Sequence, residues 1–469
     1  MQLNQFLIMQ HEVLLTIVLI IIMISELNFS TKNKSKVIGF STFLFGIVTV
    51  IGFLPSQTGV LFGGMYKNTD LTILMKNILN LGVFIVFLQS AEWLRKPINQ
   101  DKISEFYLLV VASLIGMNFM ISSGNFLMLM IGLELATIPV AALAAFEQFN
   151  NKSAEAGIKL ILLSAFATGI SVFGVSIIYG INGTLYFTEL SSGSLATLGM
   201  IFFFSGLAFK ISIVPFHLWT ADVYEGAPVN VTSFLSVISK GAAVFILMIV
   251  LLTVFKTNQG EWVWIIYATA VLTMTIGNLF AIRQQNLKRF LAFSSIAQAG
   301  FIFMGVIGGD QAGMTAVVYF VLIYAFSNLA AFGVIASISN ASGKELISDF
   351  NGLYKTNPKL SLVMMIALFS LAGIPPVAGF FGKFFLFTSA ASGGYYGLVL
   401  IGAINVTISL YYYLLVVKAM FINKSESPIQ TFKSDGMMRV GLVICVIGII
   451  MVGFASQIYE YIYSLSLVI

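Results

Sequence analysis

Apolar stretches of about 20 residues, the length a helix needs to cross a hydrocarbon core, follow one another from one end of this chain to the other. VLLTIVLIIIMIS at 13–25 and LSLVMMIALFSLAG at 360–373 lie within two of them. Of 469 residues, 58% are hydrophobic and 9% charged, against roughly 25% charged in a soluble domain. The pattern predicts an all-α, polytopic membrane protein, and no polar interval is long enough for a separate soluble domain. The first run lacks a small-residue cleavage site behind a short apolar region, so it reads as a retained helix rather than a signal peptide.

Fourteen spans are expected, near 11–29, 38–54, 72–91, 105–121, 125–145, 157–179, 197–216, 229–251, 262–282, 290–308, 312–338, 360–388, 394–421 and 438–461. They group as three N-terminal helices in 1–104, a five-helix unit in 105–251, a second in 262–421 and a last helix in 438–469. Pro375 and Pro376 interrupt the overlong span twelve, and only the spacer 339–359 has room for an extra short helix. Sixteen lysines and arginines fall in loops after odd-numbered spans, and two, Lys67 and Lys256, after even-numbered ones. Loops rich in Lys and Arg stay cytoplasmic, so the odd loops are expected there and both termini on the far side.

The net charge of +5 reflects this asymmetry rather than a nucleic-acid site, since no loop interleaves basic and aromatic residues. One cysteine, Cys445, excludes an intrachain disulfide and a cysteine-built iron–sulfur or zinc site. His11 and His217 are too far apart to suggest a metal cluster. No GxGxxG opens a βαβ unit and no GxxxxGK[ST] occurs, so no nucleotide site is recognisable.

Six lysines fall inside spans, where charge is expensive and tends to mark function. Lys76 lies near a span end and is expected to snorkel. Lys159 and Lys418 lie about a turn from an interface and are open to either reading. Lys210, Lys240 and Lys383 sit deeper, and Glu134 reads as the only deep acid of the first half. Glu105 stands where a helix N-terminus favours an anion. A buried ammonium tends to lose its proton while a neighbouring carboxylate favours the charged form; a row of such groups bridged by water can act as a proton wire.

Pro215, five residues after Lys210, cannot donate to the carbonyl of Ile211, so the helix should bend or open there. Pro375 and Pro376, with Gly373, Gly379 and Gly382, should do the same beside Lys383. The freed carbonyls can orient water or accept a bond from an ammonium, and such breaks are tolerated only facing protein or a water-filled cavity. Spans seven and twelve thus match, as do spans eight and thirteen with Lys240 and Lys418. An offset of five helices inverts one unit relative to the other, as in many secondary transporters. The residues by themselves imply a proton- or cation-coupled membrane protein with internal repeats.

Several stretches together resemble one family. They are IGLELATIPVAALAAF at 131–146, EAGIKLILLSAFATG at 155–169, GLAFKISIVPFHLWTADVYEGAP at 206–228, SKGAAVF at 239–245, GNLFAIRQQNLKRFLAFSSIAQAGF at 277–301, NGLYKTNP at 351–358 and FSLAGIPPVAGFFGKF at 369–384. These cover most of spans four to thirteen and are similar to the antiporter-like membrane subunits of respiratory complex I. The FHLW…DVYEGAP form is similar to the N-type subunit and its chloroplast counterpart rather than to the L and M types. The resemblance implies a proton-translocating membrane-arm subunit of NADH:quinone oxidoreductase, with the antiporter-like fold, in a bacterial inner membrane. Both termini would then be periplasmic. It further implies a translocase subunit with no redox site and no cofactor in this chain. FMN and iron–sulfur clusters are expected in partner subunits. The expected partners are other complex I subunits, especially the adjacent M-type subunit and the small membrane subunits, with lipid around them and no nucleic acid.

By motif, Glu134 matches a span-five glutamate that pairs with the span-seven lysine, here Lys210. Lys159 matches an auxiliary lysine of span six, Lys240 the central lysine linking two half-channels, and Lys383 the exit-side lysine of broken span twelve. The resemblance implies that a charge change from the quinone end perturbs Glu134–Lys210 and sends a proton through Lys240 toward Lys383. Gln298 stands where many relatives have histidine; glutamine can hold water in a chain but cannot carry a proton at neutral pH. Ala221 replaces the proline of the frequent TPDVY and is expected to alter only a loop turn, with Asp222 and Glu225 as solvated loop acids. His217 is either a structural hydrogen-bonding group or a group at the channel mouth. Two other readings stay open: an Mrp-type cation/proton antiporter subunit, which DVYEGAP argues against, and a non-conducting scaffold, which the deep lysines argue against.

Overall fold

A computed structural model describes residues 6–28, 34–187 and 193–466. The two chain ends and the odd-loop residue Lys32 lie outside the described residues. Among those described, thirteen helices are long and apolar enough to cross a membrane, so the protein is all-α and polytopic. Expected span twelve is two helices, Pro358–Ala372 and Ala378–Ser392, separated where Gly373 turns left-handed with φ 86°. Span seven stops sooner than its apolar run. The helix is Ser194–Ile211, and after a turn through Pro215 the chain resumes as Leu218–Gly226. At that turn Ser212 has φ 67°, a region non-glycine residues seldom adopt. Span fourteen is also shorter, Gly436–Phe454 followed by Ser456–Leu465, and the 339–359 spacer contains the short helix Leu353–Thr356.

Polar side chains start the apolar helices by pairing amides that have no intrahelical acceptor. Asn125 Oδ1 accepts from Met128 N at 2.8 Å and Asp310 Oδ1 from Gly313 N at 2.7 Å. Asn286 Oδ1 accepts from both Lys288 N and Arg289 N, at 2.9 and 3.2 Å.

Two compact units result. Among the described residues, one holds the chain up to Lys210 with Ile238–Trp262; the other holds Ile211–Val237 and the chain from Val263 to Ser466. In the first, a hairpin pairs Gly59–Leu61 with Tyr66–Asn68. Helices Ile103–Ile121 and Phe126–Ala144 meet backbone to backbone at Gly116 and Gly132. A Cβ on Gly116 would stand 2.6 Å from Leu135 C, and one on Gly132 2.5 Å from Met120 N. Small residues permit this approach between helices in a membrane. In the second unit, Leu287–Gly308 and Gln311–Ser342 are buried along nearly their whole lengths and form its interior.

Candidate functional site

Lys210 occupies the last turn of Ser194–Ile211. Its Nζ donates to Thr137 Oγ1 at 2.6 Å, and Thr137 in turn donates to Leu133 O at 2.6 Å. Thr137 lies three residues after Glu134, so the two share a helix face. The Glu134 carboxylate interacts electrostatically with Lys210, while its buried Oε1 has no hydrogen-bond partner among the described residues. The expected acid and lysine are therefore brought together, but a threonine hydroxyl makes the direct contact. Only the spacing of Thr137 from Glu134 could have flagged it.

Lys240 is 3% exposed and directly follows a π-helical turn, Leu235–Ser239, a feature frequent at functional sites. Lys383, 5% exposed, donates to Leu371 O at 2.8 Å and Ala372 O at 3.0 Å. These carbonyls end Pro358–Ala372, so the break supplies acceptors to the ammonium as its prolines and glycines led one to expect. The Phe301 ring stands 4.8 Å from Nζ. Gln298 shares this site: its Nε2 donates to Leu371 O at 2.9 Å and to Tyr413 OH at 3.2 Å, and Tyr413 OH is hydrogen-bonded to Ser294 Oγ. Beside the break, Ser370 Oγ accepts from Gly379 N at 3.2 Å and lies 2.7 Å from Ser327 Oγ. The next residue, Asn328, donates to Ser236 Oγ and Tyr324 OH. The second unit thus carries a run of buried hydroxyls and amides whose sequence signal was polar residues inside apolar runs.

A Cβ on Gly379 would overlap Ser370 O. Gly379→Ala is expected to force the break apart and destabilise the protein by about 1–3 kcal/mol. Gly436→Ala, where a Cβ meets nothing within 4 Å, should leave the melting temperature unchanged. Equal melting of both variants would contradict a tightly packed break.

The remaining candidates are more scattered. Lys159 pairs with Glu155 at 2.6 Å on a partly exposed helix face. Lys418 is exposed, and Glu105 lies exposed in the first turn of Ile103–Ile121. His217 is 8% exposed at the break preceding Leu218–Gly226, and its buried Nδ1 has no hydrogen-bond partner among the described residues.

Three expectations need correction. Lys76 does not snorkel: it is 0% exposed and pairs with Glu12 Oε1 at 2.7 Å. Its Nζ also donates to Tyr66 OH at 2.8 Å and Asn68 Oδ1 at 3.1 Å, because the hairpin brings both over the helix end. Glu134 is accordingly not the only deep acid of the first half, since Glu12 is 2% exposed. Burial and the Glu12 carboxylate push the Tyr66 phenol up, so it remains protonated and donates to Glu12 Oε2 at 2.9 Å. Finally, Ala221, Asp222 and Glu225 lie in a helix rather than a loop. The two acids both bind Arg289 Nη1, at 2.7 and 3.1 Å.

The family described as NADH:quinone oxidoreductase/Mrp antiporter, TM, matches residues 123–409. NADH-quinone oxidoreductase subunit N of Phocaeicola vulgatus is 49% identical over 98% of both chains. NAD(P)H-quinone oxidoreductase subunit 2 of Picosynechococcus sp. is 38% identical over 85% of this chain and 79% of its own. Among solved structures, a chain of respiratory complex I from Thermus thermophilus with bound aureothin is 25% identical, with a TM-score of 0.81 over 95% of this chain and 97% of that one. A chain of the Mrp complex from Dietzia sp., 18% identical, shares the fold with a TM-score of 0.84 over 99% and 97%. The chain belongs to the NADH:quinone oxidoreductase/Mrp antiporter family of transmembrane proteins.

Proposed function

We propose that this chain is a proton-translocating membrane-arm subunit of an NADH:quinone oxidoreductase. The observation that carries the reading is a lysine in each unit held by neutral oxygens: half-buried Lys210 on Thr137 and buried Lys383 on the carbonyls of a broken helix. Neutral acceptors leave the proton transferable, whereas a close carboxylate would hold it. Relatives named as quinone oxidoreductase subunits, similar along nearly the whole chain, favour this over an Mrp antiporter. NADH oxidation and quinone reduction proceed in partner subunits, which hold the FMN and iron–sulfur clusters. The M-type subunit is the expected neighbour. Both termini face the periplasm, and residues 105–251 and 262–421 are inverted repeats. Lys210, Lys240 and Lys383 take up and release the proton in turn, with Glu134 biasing the first and Lys159 assisting.

Glu134→Gln keeps the shape and removes the charge. In membrane vesicles, proton pumping and quinone-coupled NADH oxidation should fall together, while NADH oxidation by a soluble artificial acceptor stays unchanged. Pumping at the wild-type rate and stoichiometry would remove Glu134 from the mechanism.

A further inference from the structure

Helices Pro358–Ala372 and Gly436–Phe454 border a groove of about 620 Å³, within the roughly 300–1,000 Å³ of small-molecule sites. Its walls are apolar, with Val363, Leu442, Val443 and Ile447 among them, and three cations, Lys359, Lys433 and Arg439, stand at one end. Polar side chains of that rim are engaged within the protein. Asn357 donates to Gln430 O and accepts from Phe432 N, Thr431 donates to Thr356 O, and Ser434 Oγ pairs with Ser337 Oγ. Asp435 accepts from Met437 N as a helix cap. Lys359 and Lys433 make no hydrogen bond or ion pair among the described residues. Among the described residues Arg439 uses only Nε, 3.5 Å from Asp435 O. Both flanking helices also begin at this end, so their positive dipole ends face the same region.

We propose that this groove binds an anionic diacyl phospholipid, with its phosphate at Lys359, Lys433 and Arg439 and one acyl chain along Val443 and Ile447. An apolar trough ending in unspent cations matches that amphiphile: the trough takes methylenes and the cations take phosphate. The three cations lie at the ends of the helices assigned to the cytoplasmic side, where anionic lipid is richest. That assignment of side rests on the orientation proposed above; the clustering of cation and groove does not.

The assembled complex is reconstituted with phosphatidylglycerol carrying a photoreactive diazirine in one acyl chain, or with phosphatidylcholine carrying the same chain. After irradiation, adducts are mapped by peptide mass spectrometry. Adducts on 442–447 and 360–363 are expected with phosphatidylglycerol, and at least about tenfold fewer with phosphatidylcholine, given three cations near the headgroup. Lys359→Ala/Lys433→Ala/Arg439→Ala should reduce phosphatidylglycerol labelling to the phosphatidylcholine level; Lys433→Arg should not. If the triple variant does not assemble, Lys433→Ala alone must lower labelling. Equal labelling by both lipids overturns the proposal, since it describes an ordinary lipid-facing surface. So does absent labelling with Val443→Cys cross-linking to a neighbouring subunit, which makes the groove a protein interface. Labelling needs no turnover, so it is decided separately from the proton relay.

Discussion

Lys210→Met in the assembled complex is expected to slow proton pumping and coupled electron transfer together by at least about tenfold, the effect of a barrier raised by roughly 1.4 kcal/mol. Methionine fills much of the lysine's volume but cannot donate to Thr137 Oγ1 as Nζ does. Replacing a buried charge by an apolar side chain of similar volume is often neutral or stabilising, so assembly on a native gel should survive. That separates the two roles open to this residue. A lysine retained for packing gains stability on this change and loses no rate; a relay lysine keeps assembly and loses rate. Wild-type pumping in a fully assembled Lys210→Met complex would return the chain to the scaffold reading.

The second large effect is expected at Lys76, with the opposite signature. Its ammonium has three acceptors, Glu12, Tyr66 and Asn68, in a site closed to solvent. Lys76→Ala strands the Glu12 carboxylate and should destabilise the protein by about 3–5 kcal/mol, as breaking buried pairs generally does. Glu12→Leu/Lys76→Met removes both charges and should recover most of that loss, with pumping per assembled complex unchanged. The checks are thermal melting of the complex and pumping normalised to assembly. An assembled double variant that fails to pump would place this pair in the proton path instead.

The contrast between Lys76 and Lys383 shows how far the sequence could be read. Lys383 was legible because proline and glycine act locally: Pro375, Pro376 and Gly373 predict a break, and a break predicts free carbonyls. The acceptors of Lys76 come from residues 8 to 64 positions away in the chain, so its nearness to a span end misleads. That the apolar runs would be helices long enough to cross a bilayer was legible because bilayer thickness sets that minimum length. The end of span seven was not, since ISIVPF after Lys210 remains apolar beyond the helix: hydropathy reports burial, not backbone conformation. Asp222 and Glu225 looked like solvated acids because their partner, Arg289, is more than sixty residues away.

Gly116 and Gly132 bear on the tempo of the cycle. With no side chain between them, the helix bearing Glu134 and Thr137 has no soft layer on which to slide past its neighbour. The Lys210–Thr137 contact, by contrast, breaks by rotation about side-chain bonds. Rotamer changes occur in picoseconds to nanoseconds in exposed residues, whereas helix shifts take microseconds to milliseconds. Under the proposed relay, the Glu134 end therefore switches by side-chain rotation rather than by a moving backbone.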